Sequence, residues 1–148
     1  MNRFMIVVNP DKDTDSTVTN RIQSYLEAHG AACMVRDVFH LESSDWEALK
    51  KEQFDCVLVL GGDGTLLRMA GETEDIDIPL FGINLGTVGF LTEGEVANIE
   101  EILDRLLTDD FTIEERMMVT GTVTKADGTT YRKSALNAVS YTHLRAHE

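Results

Sequence analysis

The chain has 148 residues, enough for one domain with a hydrophobic core of its own. Its hydrophobic content of 43% and charged content of 26% are typical of a globular protein. The formal net charge of −13 argues against a nucleic-acid or anionic-membrane partner, because a negative surface repels both. No apolar stretch approaches the roughly 20 residues that a membrane span needs, so we expect a cytoplasmic protein.

Short apolar runs alternate with amphipathic stretches along the first 110 residues. In the amphipathic stretches, apolar residues recur every three or four positions, and Gly30 stands where the first helix needs a C-terminal cap. Ser44 and Glu47 have the spacing of a capping box and predict the start of the second helix. We predict strands at residues 4–8, 32–35, 56–60 and 79–83, and helices at residues 16–29, 44–52, 65–70 and 95–107. This alternation predicts an α/β fold with an open parallel sheet flanked by helices.

The pattern changes after about residue 110, where β-rich runs follow one another without a helix. Asp127-Gly128 between the last two runs is typical of a hairpin turn. We therefore predict an α/β nucleotide-binding domain over residues 1–110 and the start of an incomplete antiparallel β domain over residues 111–139, with strands at 111–113, 117–124 and 130–136. Residues 140–148 fit neither pattern, and we expect them to be foreign to the parent gene and the chain to be truncated within its second domain.

A glycine-rich loop follows the most apolar of the predicted strands, with the sequence Gly61-Gly62-Asp63-Gly64-Thr65. Glycines let the backbone approach an anion closely, and the amides that open the next helix carry partial positive charge. This loop is therefore a place to hold a phosphorylated ligand. Asp63 needs another role because a carboxylate repels phosphate; it could accept hydrogen bonds from sugar hydroxyls or take a proton from one.

A second glycine-spaced loop follows the fourth predicted strand and contains Asn84, Gly86 and Gly89. Open α/β sheets bind ligands at the carboxyl edge, so the two loops predict a crevice there. The first strand is followed by a turn without glycine, which argues against a dinucleotide-binding fingerprint, and the P-loop pattern is absent. The two loops indicate a phosphate site of a different kind.

Four segments resemble, in order and spacing, the successive motifs of the NAD kinase family. Gly-Gly-Asp-Gly alone is not specific, because lipid kinases and phosphofructokinases share it, but the second loop makes the resemblance specific. The resemblance covers about residues 3–138, and its motifs lie at residues 61–65, 82–92, 115–117 and 135–137.

The resemblance implies transfer of the γ-phosphoryl group of ATP to the 2′-hydroxyl of the adenosine ribose of NAD, giving NADP. It also implies dependence on Mg²⁺ or another divalent cation, and a homodimer or homotetramer of the full-length protein. Asp63 matches the proton acceptor of the family, and both Asp63 and Gly64 match positions that contact NAD. Arg68 matches a position that reaches the ligand, Phe90 a wall of the adenine pocket, and Asn137 the first residue of an Asn-Asp/Glu pair that grips the ribose.

Two departures from the family pattern leave alternatives open. Ala138 stands where the family has Asp or Glu, and the later Gly/Ser/Thr-rich segment of the family is absent from the sequence. A catalytically inactive NAD-binding fragment is therefore one alternative, and a lipid kinase of the diacylglycerol kinase type is another. Asp63 could also be a turn former, Arg68 a solvated helix residue and Phe90 a core residue.

Overall fold

The computed structural model describes residues 1–86, 92, 94–115 and 118–136. A parallel sheet with helices on both faces occupies the first part of this region, and an antiparallel hairpin follows it. The strands are β1 (Arg3–Val8), β2 (Ala32–Asp37), β3 (Cys56–Gly61), β4 (Leu80–Asn84), β5 (Gly94–Glu95), β6 (Met118–Thr124) and β7 (Thr130–Leu136). The helices are α1 (Thr17–Ala28), α2 (Ser43–Lys51), α3 (Asp63–Glu72) and α4 (Ile99–Leu107), with a 3-10 turn at Val96–Asn98 before α4.

The five-stranded sheet has the order β2-β1-β3-β4-β5, and its neighbouring strands pair in parallel. This confirms the predicted α/β fold with an open parallel sheet flanked by helices. The chain moves from β1 outward to β2, then returns to the other side of β1 with β3 and continues outward through β4. The direction of winding therefore reverses between β1 and β3, which makes the fold doubly wound.

The core lies on both faces of this sheet because β1 and β3 are central strands. Alternate residues point to opposite faces, so Phe4 and Ile6 meet α1 and α4 while Met5 and Val7 meet α2 and α3. β3 is buried along its whole length, as expected for a strand covered on both sides. None of the described helices is long and apolar enough to cross a membrane.

Several predicted boundaries are confirmed and several are wrong. Gly30 follows α1 with φ of +87°, as predicted for its C-terminal cap. The capping box of α2 is formed by Glu42 and Asp45, not by Ser44 and Glu47, because the N-terminal cap of the helix is Glu42, two residues before Ser44. The predicted helix from residue 95 begins as a short strand and a 3-10 turn. No strand forms at residues 111–113, which lie outside both sheets.

The hairpin of β6 and β7 confirms the predicted turn between them. Lys125 and Thr129 close the turn through a 2.8 Å backbone hydrogen bond, and Gly128 adopts φ of +87°. β7 lies alongside α3, so the hairpin reaches the helix that follows the first glycine loop. The division into domains at residue 110 stays a prediction, and the predicted tail at residues 140–148 lies outside the described residues.

Candidate functional site at the carboxyl edge of the sheet

Three loops meet where β1, β3 and β4 end. The backbone N–H of Asn9, after β1, donates to the carbonyl oxygen of Leu60 in β3 at 2.8 Å. The N–H of Leu85, after β4, donates to the carbonyl oxygen of Gly61 at 2.8 Å. The ends of three neighbouring strands are thus connected by hydrogen bonds, and the β3 loop lies between the other two.

The first glycine loop is shorter than predicted, because α3 begins at Asp63 and not at Thr65. Gly62 is the N-terminal cap of the helix, and its carbonyl oxygen accepts a 3.2 Å hydrogen bond from the N–H of Leu66. Asp63 is consequently the first residue of the helix. A carboxylate in this position is stabilised by the positive end of the helix dipole.

The three glycines of this loop have different surroundings. A Cβ on Gly61 would lie 2.5 Å from Oγ1 of Thr65, so the buried side chain of Thr65 leaves room only for glycine there. Among the described residues, no atom lies within 4 Å of a Cβ placed on Gly62 or on Gly64. Packing inside the protein therefore explains Gly61, whereas Gly62 and Gly64 border open space at the edge of the sheet.

The carboxylate of Asp63 is half-buried and is held by the chain that follows the second loop. The backbone N–H of Thr92 donates to Oδ1 of Asp63 at 3.2 Å. Oγ1 of Thr92 is itself buried, without a hydrogen-bond partner in the described part of the chain. The N–H contact joins the two glycine loops a second time and orients the carboxylate of Asp63.

The second loop is anchored by Asn84, the buried last residue of β4. Its Oδ1 accepts a 2.8 Å hydrogen bond from the N–H of Gly86, which closes a turn of the Asx type. Gly61 and Asn84 are register partners in β3 and β4, so the two loops start side by side as predicted. The predicted site residues Gly89, Phe90 and Asn137 lie outside the described residues.

Arg68 lies on another side of α3 from Asp63. The two residues are five positions apart, which corresponds to a rotation of about 140° around the helix axis. The guanidinium group of Arg68 is 5.5 Å from the ring centre of Phe39 and 3.4 Å from a carboxylate oxygen of Glu72. These residues border a cavity of about 310 Å³ between α2, α3 and the segment after β2, together with Trp46. The structure thus does not bring Arg68 together with Asp63, and its contact with a ligand stays a prediction.

The loop after β1 was not predicted as part of the site, because it contains no glycine. At a topological switch point, the loops on either side of the reversal border the ligand crevice. Here these are the loops after β1 and β3. The loop after β1 brings Asn9 and Lys12 to the site. The order of the strands reveals this, and no local sequence signal could have found it.

Fold and loops together define a doubly wound α/β protein whose glycine loops lie beside the switch point of the sheet. Residues 4–111 match the family model described as the ATP-NAD kinase N-terminal domain. The chain therefore belongs to the NAD kinase family, as the resemblance of its motifs predicted. This assignment does not favour the alternative of a lipid kinase.

Similar proteins support the same assignment. The chain is 38% identical to the NAD kinase of Lachnoclostridium phytofermentans over 146 residues, which cover 96% of this chain and 51% of that protein. It is 39% identical to the NAD kinase of Agathobacter rectalis over 82% of this chain and 44% of that protein. The crystal structure of yeast NADH kinase complexed with NADH has a similar fold, with a TM-score of 0.64 at 15% identity over 90% of this chain and 46% of that one. The chain spans about half the length of the curated relatives it matches.

Proposed function

We propose that the protein is an NAD kinase, which transfers the γ-phosphoryl group of ATP to the 2′-hydroxyl of the adenosine ribose of NAD and releases NADP and ADP. The observation that carries this proposal is the position of Asp63. Its carboxylate lies at the switch-point edge of the sheet, beside two glycines that border open space. Membership in the NAD kinase family supports the choice of substrates.

The chemistry assigned to Asp63 follows from the transfer itself. The 2′-oxygen of the ribose forms a bond to the γ-phosphorus, the bond from that phosphorus to the β,γ-bridging oxygen breaks, and ADP leaves. The 2′-hydroxyl loses its proton, and we assign the Asp63 carboxylate as the acceptor. Phosphoryl transfer depends chiefly on positioning and charge neutralisation, so a carboxylate held by the N–H of Thr92 is suited to align the hydroxyl.

The remaining roles are proposals of the same kind. Gly64 lets the backbone approach NAD, and the loop residues Gly61, Gly62, Thr65, Asn84, Gly86 and Gly89 shape the phosphate-binding edge. Phe90 borders the adenine, Arg68 reaches the ligand and Asn137 binds the ribose. The path of β7 alongside α3 supports the last assignment, because Asn137 follows β7 directly. We also propose a cytoplasmic homodimer or homotetramer for the full-length protein.

Mg²⁺ is proposed as part of the Mg-ATP substrate. The described residues contain no group of three or more His, Cys, Asp or Glu side chains arranged to hold a metal ion. Mg²⁺ commonly binds through substrate phosphates, water and one or two carboxylates, so it does not require such a group. When bound, it would neutralise charge on the phosphates of ATP.

The test of this function is NADP formation from NAD and Mg-ATP by the chain and by its Asp63→Asn variant. Loss of the proton acceptor is expected to lower the rate by about 100-fold or more, because general base catalysis commonly contributes 10²- to 10⁴-fold. NAD binding, measured by calorimetry, should change much less. Asp77→Asn is the matched control, since Asp77 is exposed and precedes β4 at the opposite edge of the sheet.

Equal NADP formation by the Asp63→Asn variant and the unaltered chain would remove Asp63 as the base. NAD binding without any NADP formation by the unaltered chain would instead support the alternative of a binding fragment. Absence of both NAD binding and turnover would contradict the proposed function.

A further inference from the structure

The loop after β1 holds Lys12 in a defined position. The N–H of Lys12 donates to the carbonyl oxygen of Asn9 at 3.0 Å and closes a turn, while Oδ1 of Asn9 accepts from the N–H of Asp11 at 3.0 Å. The neighbouring Asp13 is buried, and its carboxylate accepts hydrogen bonds from the N–H and Oγ1 of Thr19 at 2.9 and 2.6 Å. Hydrogen bonds of Asn9 and of Asp13 therefore fix the chain on both sides of Lys12.

The side chain of Lys12 extends across the end of β3. β1 and β4 lie on opposite sides of β3, about 10 Å apart at the usual strand spacing. An ideal Cβ placed on Gly86, after β4, would nevertheless lie only 3.7 Å from Nζ of Lys12. The ammonium group thus lies at the second glycine loop, above the strand that ends in Gly61.

This cation has no carboxylate partner among the ion pairs of the described residues. That is notable in a chain with 26 acidic and 13 basic residues, where most described arginines pair with an acid. A phosphate approaching this edge would also meet the repulsion of Asp63. A nearby ammonium group offsets that repulsion, and lysine binds phosphate as a point charge.

We propose that Lys12 binds a phosphate group of the nucleotide substrates at the carboxyl edge of the sheet, between the loop after β1 and Gly86. This inference rests on the proposed function for its ligands and extends it to a loop without glycine. The phosphate belongs either to the triphosphate of ATP or to the pyrophosphate of NAD. Lys12 is a positioning group for that phosphate and takes no proton in the reaction.

The test compares the chain with its Lys12→Met and Lys12→Arg variants by calorimetric titration with Mg-ATP, NAD and inorganic tripolyphosphate. Lys12→Met is expected to weaken binding of at least one phosphate ligand by about 10- to 100-fold, the usual effect of losing a hydrogen bond to a charged group. Lys12→Arg should restore most of the affinity, because the positive charge is kept. The restored affinity should also fall with added salt, as expected for a charge contact.

Lys51→Met is the matched control. Lys51 is exposed in the last turn of α2, away from the carboxyl edge, and pairs only with Glu47 among the described residues. Its removal should leave all three affinities unchanged. Thermal unfolding of every variant shows whether a change in affinity is a change in folding.

Selective loss of Mg-ATP binding would assign the phosphate to ATP, and selective loss of NAD binding would assign it to NAD. Unchanged binding of all three ligands by folded Lys12→Met would overturn the inference, as would an unaltered chain that binds none of them. Tripolyphosphate binding that depends on Lys12, in a chain that makes no NADP, would support Lys12 while contradicting the proposed kinase activity.

Discussion

The two edges of the parallel sheet use their polar groups differently. At the amino edge, Oδ2 of Asp55, which precedes β3, accepts hydrogen bonds from the N–H of Asn2 and of Arg3 at 2.7 and 3.0 Å. The N–H of Asp55 donates in return to the carbonyl oxygen of Arg3 at 2.8 Å. At the carboxyl edge, Gly62 and Gly64 border open space. Backbone hydrogen bonds join the strands at both edges, but a side chain adds to them at the amino edge, whereas glycines leave room for a ligand at the carboxyl edge.

At the carboxyl edge, two glycines of the same loop, Gly61 and Gly64, should respond differently to substitution. Gly61→Ala should lower the free energy of unfolding by about 2 to 3 kcal/mol, because the new methyl group would overlap Thr65 in a packed core. Urea unfolding followed by circular dichroism measures this loss. A Gly61→Ala variant as stable as the unaltered chain would show that packing does not require this glycine.

Gly64→Ala is the counterpart of that substitution. Gly64 lies in the first turn of α3, and a methyl group there contacts none of the residues that the structure describes. Stability should therefore stay equal or rise by up to about 1 kcal/mol. NAD binding should nevertheless weaken about 10-fold if the ligand approaches this backbone as proposed. Unchanged NAD affinity, measured by calorimetry, would contradict the close approach at Gly64.

A substitution at the amino edge should lower stability and leave nucleotide affinity unchanged, which is the reverse of the effect expected for Gly64→Ala. Asp55→Ala removes the acceptor of two backbone N–H groups and is expected to lower the free energy of unfolding by about 1 to 2 kcal/mol. Nucleotide affinity should stay the same, because Asp55 lies at the far end of β3. Urea unfolding measures the free energy of unfolding, and calorimetry measures the nucleotide affinity. Reduced affinity in the folded variant would contradict the functional difference between the two edges.

Asp45, in the first turn of α2, differs from Asp63 because it is a buried carboxylate that binds Arg36 of β2 and has a structural role. Burial opposes its charge, but hydrogen bonds from the N–H of Glu42 and from Arg36 at 2.7 Å prevail and lower the pKa of Asp45 from its ordinary value. A lowered pKa in the folded state adds stability above the unfolded pKa of about 3.9, and this stability is lost as the pH falls through the folded value.

Asp45→Asn should therefore lower the free energy of unfolding by about 1 kcal/mol at pH 7, and the difference should shrink below about pH 4. Urea unfolding across this range of pH measures it. Asp77→Asn, which changes an exposed carboxylate, is the control and should show a difference near zero at every pH. A difference for Asp45→Asn that stays constant down to pH 2 would show that the charge of Asp45 does not stabilise the fold.

Local sequence patterns determined the elements and the class of fold. The apolar runs that became β1 and β3 are long enough to be recognised because both faces of a central strand are buried. The first glycine loop and the family were likewise evident, since Asp63 and its neighbours are contiguous in the chain. The helix starts were predicted less well. α2 begins at Ser43 because the side chain of Asp45 reaches the N–H of Glu42, and α3 begins at Asp63 after Gly62, a cap without a side-chain hydrogen bond.

Only the tertiary structure decided how these elements meet. The order β2-β1-β3-β4-β5 depends on pairing between strands distant in sequence, and no local pattern encodes it. That order places the switch point between β1 and β3 and brings the ammonium group of Lys12 to within 3.7 Å of the position that a Cβ on Gly86 would occupy, 74 positions along the chain. The sequence by itself identified two glycine loops and an aspartate, whereas the packing of the strands determined that the ammonium group of Lys12 lies at the second loop.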